Sequence, residues 1–217
     1  LLPLEFGMSS NVKKITDEFG EILTRIDGTI PTDIEIKKGQ RFLFISYDQS
    51  RFSHGIHKYP AKFFPELPRW LIQRYSKPND LILDPFGGSG TTNVEALLCG
   101  RNSVAIDVDI FAKFLTKVKT TPLNSDELFK VVENILDKLI LFDKNKINKN
   151  DIPEFPYRDN WFTEDILFEL AYIKKIILNS TKNQDIKDFC LITMSSIIRA
   201  VSNADDNCTR TVVRKKL

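Results

Sequence analysis

The chain has few cysteines and histidines for its length. Of its 217 residues, three are cysteine and two are histidine. Cys99, Cys190 and Cys208 are far apart and odd in number, which fits neither a disulfide framework nor the spacing of a zinc site. We therefore expect a reducing, cytoplasmic environment. His54 and His57 lie three residues apart in a predicted loop with no third ligand nearby, so we expect no metal.

The sequence also lacks long apolar runs and a strong charge of either sign. No apolar run reaches the roughly 18 residues of a membrane helix, and the start lacks the basic region of a signal peptide. A net charge of +2 neither indicates nor excludes a nucleic-acid partner. With 42% hydrophobic and 28% charged residues, the chain resembles an ordinary soluble globular protein of one domain or slightly more.

What the sequence does contain is an apolar run that ends in an acid and a glycine-rich turn. Residues 81–92 read LILDPFGGSGTT, which predicts a buried strand Leu81–Asp84, a turn and a helix Thr91–Cys99. No Gly-Lys-Ser/Thr follows as in a P-loop, and Asn93 stands where a dinucleotide motif has its third glycine. We predict that the turn holds S-adenosylmethionine, a sulfonium methyl donor without a phosphate that would need a lysine.

A second predicted strand, Asn102–Asp107, also ends in an acid, and a helix over Ile110–Lys119 follows it. This order predicts two adjacent parallel strands with a right-handed crossover. Ligands of such sheets lie outside the carboxyl ends of the strands, where both the glycine turn and Asp107 fall. An acid about 20 residues beyond the glycine turn suits the ribose hydroxyls of a ligand. The alternative is that Asp107 caps the following helix.

Residues 54–66 read HGIHKYPAKFFPE and mix aromatics, histidines and prolines. They have neither a helical nor a strand period, so we predict a loop, followed by a helix over Pro65–Tyr75. Such residues in a loop indicate function more often than they do in a core. The alternative is a rigid turn that is filled by aromatic packing.

The remaining stretches predict mostly helices. Val12, Ile15, Phe19 and Ile26 fall on one helical stripe, which predicts a helix over residues 10–27. Further helices are predicted at 125–142, 164–179 and 184–202, with a possible strand at 41–47. We expect residues 1–7 to be an expression-vector remnant, 8–50 to hold the N-terminal helix and the possible strand, 51–142 to form the donor-binding α/β region, 143–160 to be a linker and 161–217 to be a helical segment.

Three of these stretches resemble the motifs of DNA amino-methyltransferases, which methylate the exocyclic amine of adenine or cytosine in restriction–modification systems. DPFGGSGTT at 84–92 looks like their donor-binding motif. HKYPAKF at 57–63 resembles the second donor-binding motif, and VAIDVD at 104–109 is similar to their ribose-binding strand. The resemblance covers about residues 50 to 120. It implies a partial Rossmann-like class I methyltransferase fold of the α/β class with parallel strands, plus a helical C-terminal segment.

The resemblance also implies roles for single residues. The loop before the glycine turn walls the methionine end of the donor, the turn forms the main cradle, and the acid after the second strand holds the ribose. The candidate donor-binding residues are therefore His57, Tyr59, Pro60, Ala61, Lys62, Phe63, Asp84, Phe86, Gly88, Gly90, Thr91, Thr92 and Asp107.

The catalytic motif of that family is missing. It consists of Asp, Asn or Ser, then Pro-Pro and an aromatic residue, and it binds the amine of a flipped-out base. The chain contains no Pro-Pro pair, so the catalytic residues are unknown, and the predicted parallel strands are too few for a covered sheet. We expect either a cut chain, whose catalytic motif follows Leu217, or a natural split in which a second polypeptide supplies that motif and target recognition.

We therefore predict the donor-binding part or subunit of a site-specific DNA methyltransferase of a restriction–modification system, acting on double-stranded DNA and not on membranes. Two alternatives stay open. One is a non-catalytic donor-binding or regulatory subunit, and the other is an RNA or small-molecule methyltransferase with a similar glycine turn. The basic residues 210–217 are either a DNA contact or a solvated tail.

Overall fold

The computed structural model describes residues 11–60, 62–205 and 212–213. The chain divides into two compact units, which meet in the sequence after Thr120. In the described residues, the first unit holds β1 (Asn11–Thr16), β2 (Ile22–Asp27), β3 (Phe42–Ile45), α1 (Glu66–Tyr75), β4 (Leu81–Asp84), α2 (Thr91–Leu98), β5 (Asn102–Ala105) and α3 (Ile110–Thr120). The second holds α4 (Ser125–Leu139), α5 (Arg158–Trp161), α6 (Glu164–Ser180) and α7 (Gln184–Val201).

The predicted helix over residues 10–27 is wrong, because β1 and β2 form an antiparallel hairpin there. The Asp17 carboxylate accepts hydrogen bonds from the backbone N–H groups of Phe19 at 3.0 Å and Glu21 at 2.9 Å. Gly20 has φ of +80°, which a helix cannot accommodate. The apolar spacing matched a helix, but this turn and the β-branched residues on either side of it favour two short strands.

β3 confirms the predicted strand at 41–47, but it pairs in parallel with β2 and not with the strands around the glycine turn. The small core of this sheet consists of Ile26, Ile30 and Trp70, with partly buried aromatic residues around them. The indole Nε1 of Trp70 donates to the carbonyl of Pro31 at 2.9 Å. This contact ties α1 to the segment between β2 and β3.

β4 and β5 pair in parallel, as predicted, with α2 as the crossover between them. Asp84 lies opposite Ala105 at the end of the ladder. The pairing continues beyond it, because Ile106 N–H donates to the Asp84 carbonyl at 2.9 Å and Gly87 N–H donates to the Ile106 carbonyl at 2.9 Å. Both strands therefore end at the same edge of the sheet. The predicted α/β class, with parallel strands and a helical C-terminal segment, is confirmed.

One face of the β4–β5 sheet is exposed in the part of the chain that the structure describes. Leu81, Leu83, Val104 and Ile106 are 67%, 59%, 44% and 54% exposed. On the opposite face, Ile82 packs against the apolar cluster that α1 and α2 share. The prediction of a buried strand over Leu81–Asp84 is therefore wrong for this face, whereas the expectation of an uncovered sheet is confirmed.

In the second unit, α4, α6 and α7 enclose an apolar cluster that includes Ile135, Ile177 and Ile186. The predicted helices at 125–142, 164–179 and 184–202 are confirmed within a few residues. Each begins at a polar side chain that accepts a backbone N–H from its first turn. These N-cap residues are Asn124, Thr163 and Asn183.

The predicted linker contains two short 3₁₀ turns, Lys144–Lys146 and Lys149–Asp151. Ile147 between them is buried against Phe168 of α6. No helix in the described ranges is long and apolar enough to cross a membrane. Residues 1–7 and most of the basic segment 210–217 lie outside the described residues.

Candidate functional site

The glycine turn connects β4 to α2 and depends on two positive φ angles. Gly88 has φ of +49° and Gly90 has φ of +75°. The Asp84 carboxylate accepts the Phe86 N–H at 3.0 Å and so fixes the first part of the turn. A Cβ atom on Gly90 would lie 2.7 Å from Thr116 Oγ1. This position therefore requires glycine both for its backbone conformation and for the close approach of α3.

Asp107 binds the glycine turn directly. One carboxylate oxygen, Oδ2, accepts the Gly88 N–H at 2.7 Å, and Oδ1 accepts the Asp109 N–H at 2.9 Å. Hydrogen bonds from the backbone of Asp109 and Gly88 lower the pKa of Asp107, so the group is ionised at neutral pH. Each carboxylate oxygen can accept a further hydrogen bond from a ligand. The start of α3 is capped by Asp109, whose Oδ1 accepts the Phe111 N–H at 2.8 Å.

The loop before α1 lies against the same turn. A Cβ atom on Gly88 would be 3.7 Å from Cε1 of Tyr59, and the Tyr59 hydroxyl donates to Asp109 Oδ2 at 3.5 Å. Burial and then the negative charges of Asp109 and Asp107 raise the pKa of Tyr59. The structure thus brings together residues from all three predicted stretches: the loop, the glycine turn and the segment after β5.

Other predicted loop residues make separate contacts or are exposed. The His57 ring lies edge-on to the Phe111 ring, with 5.0 Å between the ring centroids. Lys62 Nζ donates to the carbonyl of Gln49 at 3.4 Å and to that of His54 at 3.5 Å. Pro60 is exposed, and Ala61 lies outside the described residues.

Four further predicted residues, from the first turn of α2, the glycine turn and the loop before α1, differ in exposure. Thr91 is buried, and its hydroxyl is 3.0 Å from the Ser89 hydroxyl. Thr92 and Phe63 line an apolar groove of about 270 Å³ beside α1. Phe86, in contrast, is 86% exposed.

Two apolar residues next to the site were missed by the sequence analysis. Val108, which follows Asp107 directly, is 98% exposed, and Ile110, three residues after Asp107, is 78% exposed. Like the exposed Phe86, they follow the carboxyl end of one of the two parallel strands. Their place beside an acid at a strand end was the signal that could have found them.

A buried charged cluster was also missed. His54 Nε2 lies 2.7 Å from Glu95 Oε1, and Arg69 Nε donates to Glu95 Oε2 at 2.6 Å. All three side chains are buried. Within the described ranges, no group of three or more His, Cys, Asp or Glu residues could hold a metal ion. The only sequence signal was a glutamate inside the apolar helix that follows the glycine turn.

Lys119 of α3 places a buried ammonium group beneath the glycine turn. Its Nζ donates to the Ser89 carbonyl at 3.0 Å. Burial, and then the positive charge of Lys62, lower the pKa of Lys119 from 10.5 to about 8. The ammonium form still predominates at pH 7, but keeping that charge in the folded state costs free energy relative to the unfolded chain.

We predict that Gly90→Ala destabilises the first unit more than Gly100→Ala does. Both positions have a similar positive φ, +75° and +72°, so both changes incur the left-handed cost of about 1–2 kcal/mol. Only the Cβ at Gly90 meets Thr116, whereas the one at Gly100 meets nothing within 4 Å. The additional cost should be about 1–3 kcal/mol. Urea unfolding, followed by Trp70 fluorescence in a Trp161→Phe background, measures the free energy of unfolding of both variants. Equal losses of stability would contradict the close contact.

We predict that Lys119→Met stabilises the first unit at pH 7, by up to about 3 kcal/mol for a pKa that is lowered from 10.5 to about 8. Between these two pKa values the unfolded chain binds more protons than the folded one, so the stability of the wild type rises with pH. The advantage of the variant should therefore shrink from pH 8 to pH 10.5. Lys117→Met, an exposed change on the same helix, is the control, and a difference that stays constant with pH would contradict the assignment.

Known proteins match the part of the chain that contains the candidate site. The family model described as DNA methylase matches residues 10–118. The Type II methyltransferase M.MvaI of Kocuria varians is 30% identical over 171 residues, which cover 76% of this chain and 37% of the relative. M.MjaII of Methanocaldococcus jannaschii is 29% identical over 164 residues, with 73% and 31% covered. M.HinfI of Haemophilus influenzae is 43% identical over 66 residues, with 28% and 18% covered.

No solved structure gives a significant match. The chain spans about a third of the length of the first two relatives, 37% and 31%. The family match includes the loop, the glycine turn, Asp107 and most of α3. Since it covers residues 10–118 of a 217-residue chain, slightly more than half, the chain belongs to the DNA methylase family.

Proposed function

We propose that the chain is the S-adenosylmethionine-binding part of a DNA methyltransferase. The proposed enzyme methylates the exocyclic amine of cytosine or adenine in double-stranded DNA as part of a restriction–modification system. The observation that carries the proposal is the contact between three separate stretches at one sheet edge, where Tyr59 lies against Gly88 and Gly88 donates to Asp107. The Type II methyltransferases among the relatives support the substrate class.

The residues at this edge fit the chemistry of the donor. Asp107, which is ionised and has acceptor capacity left, suits the two hydroxyls of a ribose and would repel a 2′-phosphate. Phe86, Val108 and Ile110 offer exposed apolar surface for an adenine ring. Asp84 and the Tyr59 loop would hold the methionine part, with the carboxylate of Asp84 attracting its ammonium group. When bound, the donor supplies a methyl group on a sulfonium centre.

The methyl group would pass to the target amine by direct displacement, with the enzyme mainly holding the two reactants in line. The amine also needs hydrogen-bond acceptors that free its lone pair, and the family motif for that task has no counterpart in this sequence. We propose that further polypeptide, either in the same chain or in a second one, supplies this motif. Support comes from the greater length of the relatives and from the uncovered face of Leu81, Leu83 and Val104.

We predict that the chain binds S-adenosylmethionine and that Asp107→Ala weakens this binding at least about tenfold, since hydrogen bonds to a charged group are lost. Isothermal titration calorimetry measures the dissociation constants of the wild type and of the variant. Asp126→Ala, which removes an exposed acid from the first turn of α4 in the second unit, is the matched control and should bind as the wild type does. Equal affinity of the Asp107 variant would remove this residue from the site.

We predict that the 217 residues alone do not transfer a tritiated methyl group from the donor to unmethylated genomic DNA. Transfer should appear when a polypeptide with a Pro-Pro-aromatic motif is present, and Asp107→Ala should then reduce it. Methylation by the pure chain would show that the catalytic groups lie within it. Transfer to RNA but not to DNA by the completed enzyme would overturn the substrate class, and donor binding without any transfer would favour a regulatory subunit.

A further inference from the structure

One carboxylate in the first unit accepts hydrogen bonds from two different elements. Glu95 is completely buried, and its Oε1 lies 2.7 Å from His54 Nε2. Arg69 donates to the same carboxylate twice, from Nε to Oε2 at 2.6 Å and from Nη2 to Oε1 at 3.1 Å. This is the forked geometry in which guanidinium binds a carboxylate most specifically.

The three residues of the cluster lie in three different elements around the loop that carries Tyr59. His54 lies in the 3₁₀ turn Phe52–Gly55, directly before the loop that carries Tyr59. Arg69 lies in α1, directly after that loop, and Glu95 lies in α2, which begins at the glycine turn. A single carboxylate on the glycine-turn helix therefore binds residues at both ends of the loop.

A second set of contacts ties the same 3₁₀ turn to the glycine turn. Ser53 Oγ donates to the Lys119 carbonyl at 2.9 Å, and Lys119 Nζ donates to the Ser89 carbonyl at 3.0 Å. The start of the loop is thus fixed to α2 through His54 and to α3 through Ser53. Both helices are joined to the glycine turn, which lies against Tyr59, because α2 begins at this turn and Lys119 of α3 donates to it.

Packing alone does not require a charged residue at this place. Ile72 of α1 and Ala96 and Cys99 of α2 already form an apolar cluster between the two helices. Replacing a buried ion pair by apolar residues of similar volume is often neutral or stabilising, so such a pair is weak support for a purely stabilising role. The hydrogen bonds instead define one geometry, since they fix the distances from Glu95 to His54 and Arg69.

We propose that Glu95 is a positioning residue for the donor site, which sets the loop of residues 56–64 against the glycine turn through His54 and Arg69. This inference rests on the proposed donor-binding function of that loop. Glu95 does not touch the donor. It acts through Tyr59 and its neighbours, which it holds at the distance that the ligand needs.

The test compares Glu95→Gln with Asp188→Asn. The Gln side chain keeps the size of Glu but has one acceptor oxygen in place of two, so it cannot accept the forked pair of hydrogen bonds from Arg69. Asp188 is a buried acid of α7 in the second unit that accepts from Gln184 Nε2 at 2.6 Å, and it provides the same change of carboxylate to amide. Three measurements are made on each variant: the donor dissociation constant by calorimetry, amide hydrogen exchange of residues 56–64 and the urea midpoint.

We expect Glu95→Gln to bind S-adenosylmethionine at least about tenfold more weakly than the wild type and to exchange the amides of residues 56–64 faster. Asp188→Asn should change neither. Combining Glu95→Gln with Tyr59→Ala should weaken binding by less than the product of the two single effects, because both act on one loop. Independent effects, or a lower urea midpoint with unchanged binding and exchange, would reduce Glu95 to a structural role and overturn the proposal.

Two milder variants keep the test decisive if Glu95→Gln does not fold. Arg69→Lys replaces the fork by a single ammonium group, and His54→Gln retains one donor at a similar reach. Unchanged donor affinity and loop exchange in both would overturn the positioning role. If the wild type itself does not bind the donor, the proposed function fails, and the exchange rates of residues 56–64 still decide whether Glu95 positions the loop.

Discussion

The parallel pairing of β4 with β5 is the constraint on which the candidate site depends. The ladder ends with Asp84 opposite Ala105 and continues through the hydrogen bond from Gly87 N–H to the Ile106 carbonyl. This register brings the carboxylate of Asp107 to the Gly88 N–H. A shift by one residue would turn every side chain of one strand to the other face of the sheet, and Asp107 would no longer meet the glycine turn.

The parts of the site that the sequence predicted are those encoded by neighbouring residues. A strand that ends in Asp84, glycines that allow positive φ and an acid at the end of the next strand all leave a local pattern. The cluster of His54, Arg69 and Glu95 leaves only a glutamate inside an apolar helix, since its members come together only when α1 packs on α2. The N-terminal hairpin was missed for the opposite reason: its apolar residues have a spacing that fits a helix, and only the turn at Asp17 contradicts it.

The first unit distributes polar and apolar groups in an unusual way. Charged groups of Glu95, Arg69 and Lys119 are buried, while Leu81 and Ile106 of the sheet are exposed to solvent. A soluble domain normally buries its sheet face and solvates its charges. The exposed sheet face agrees with the proposal that further polypeptide covers it, as does the greater length of the relatives.

The attachment of one loop at both ends has a consequence for the entropy of ligand binding. His54 and Arg69 are joined through Glu95, so the segment between them behaves as a ring closed by a noncovalent cross-link. Ring closure removes conformations from the segment when the protein folds. The proposed donor would contact Tyr59, and because the segment is already ordered on folding, that cost would not reduce the free energy of donor binding.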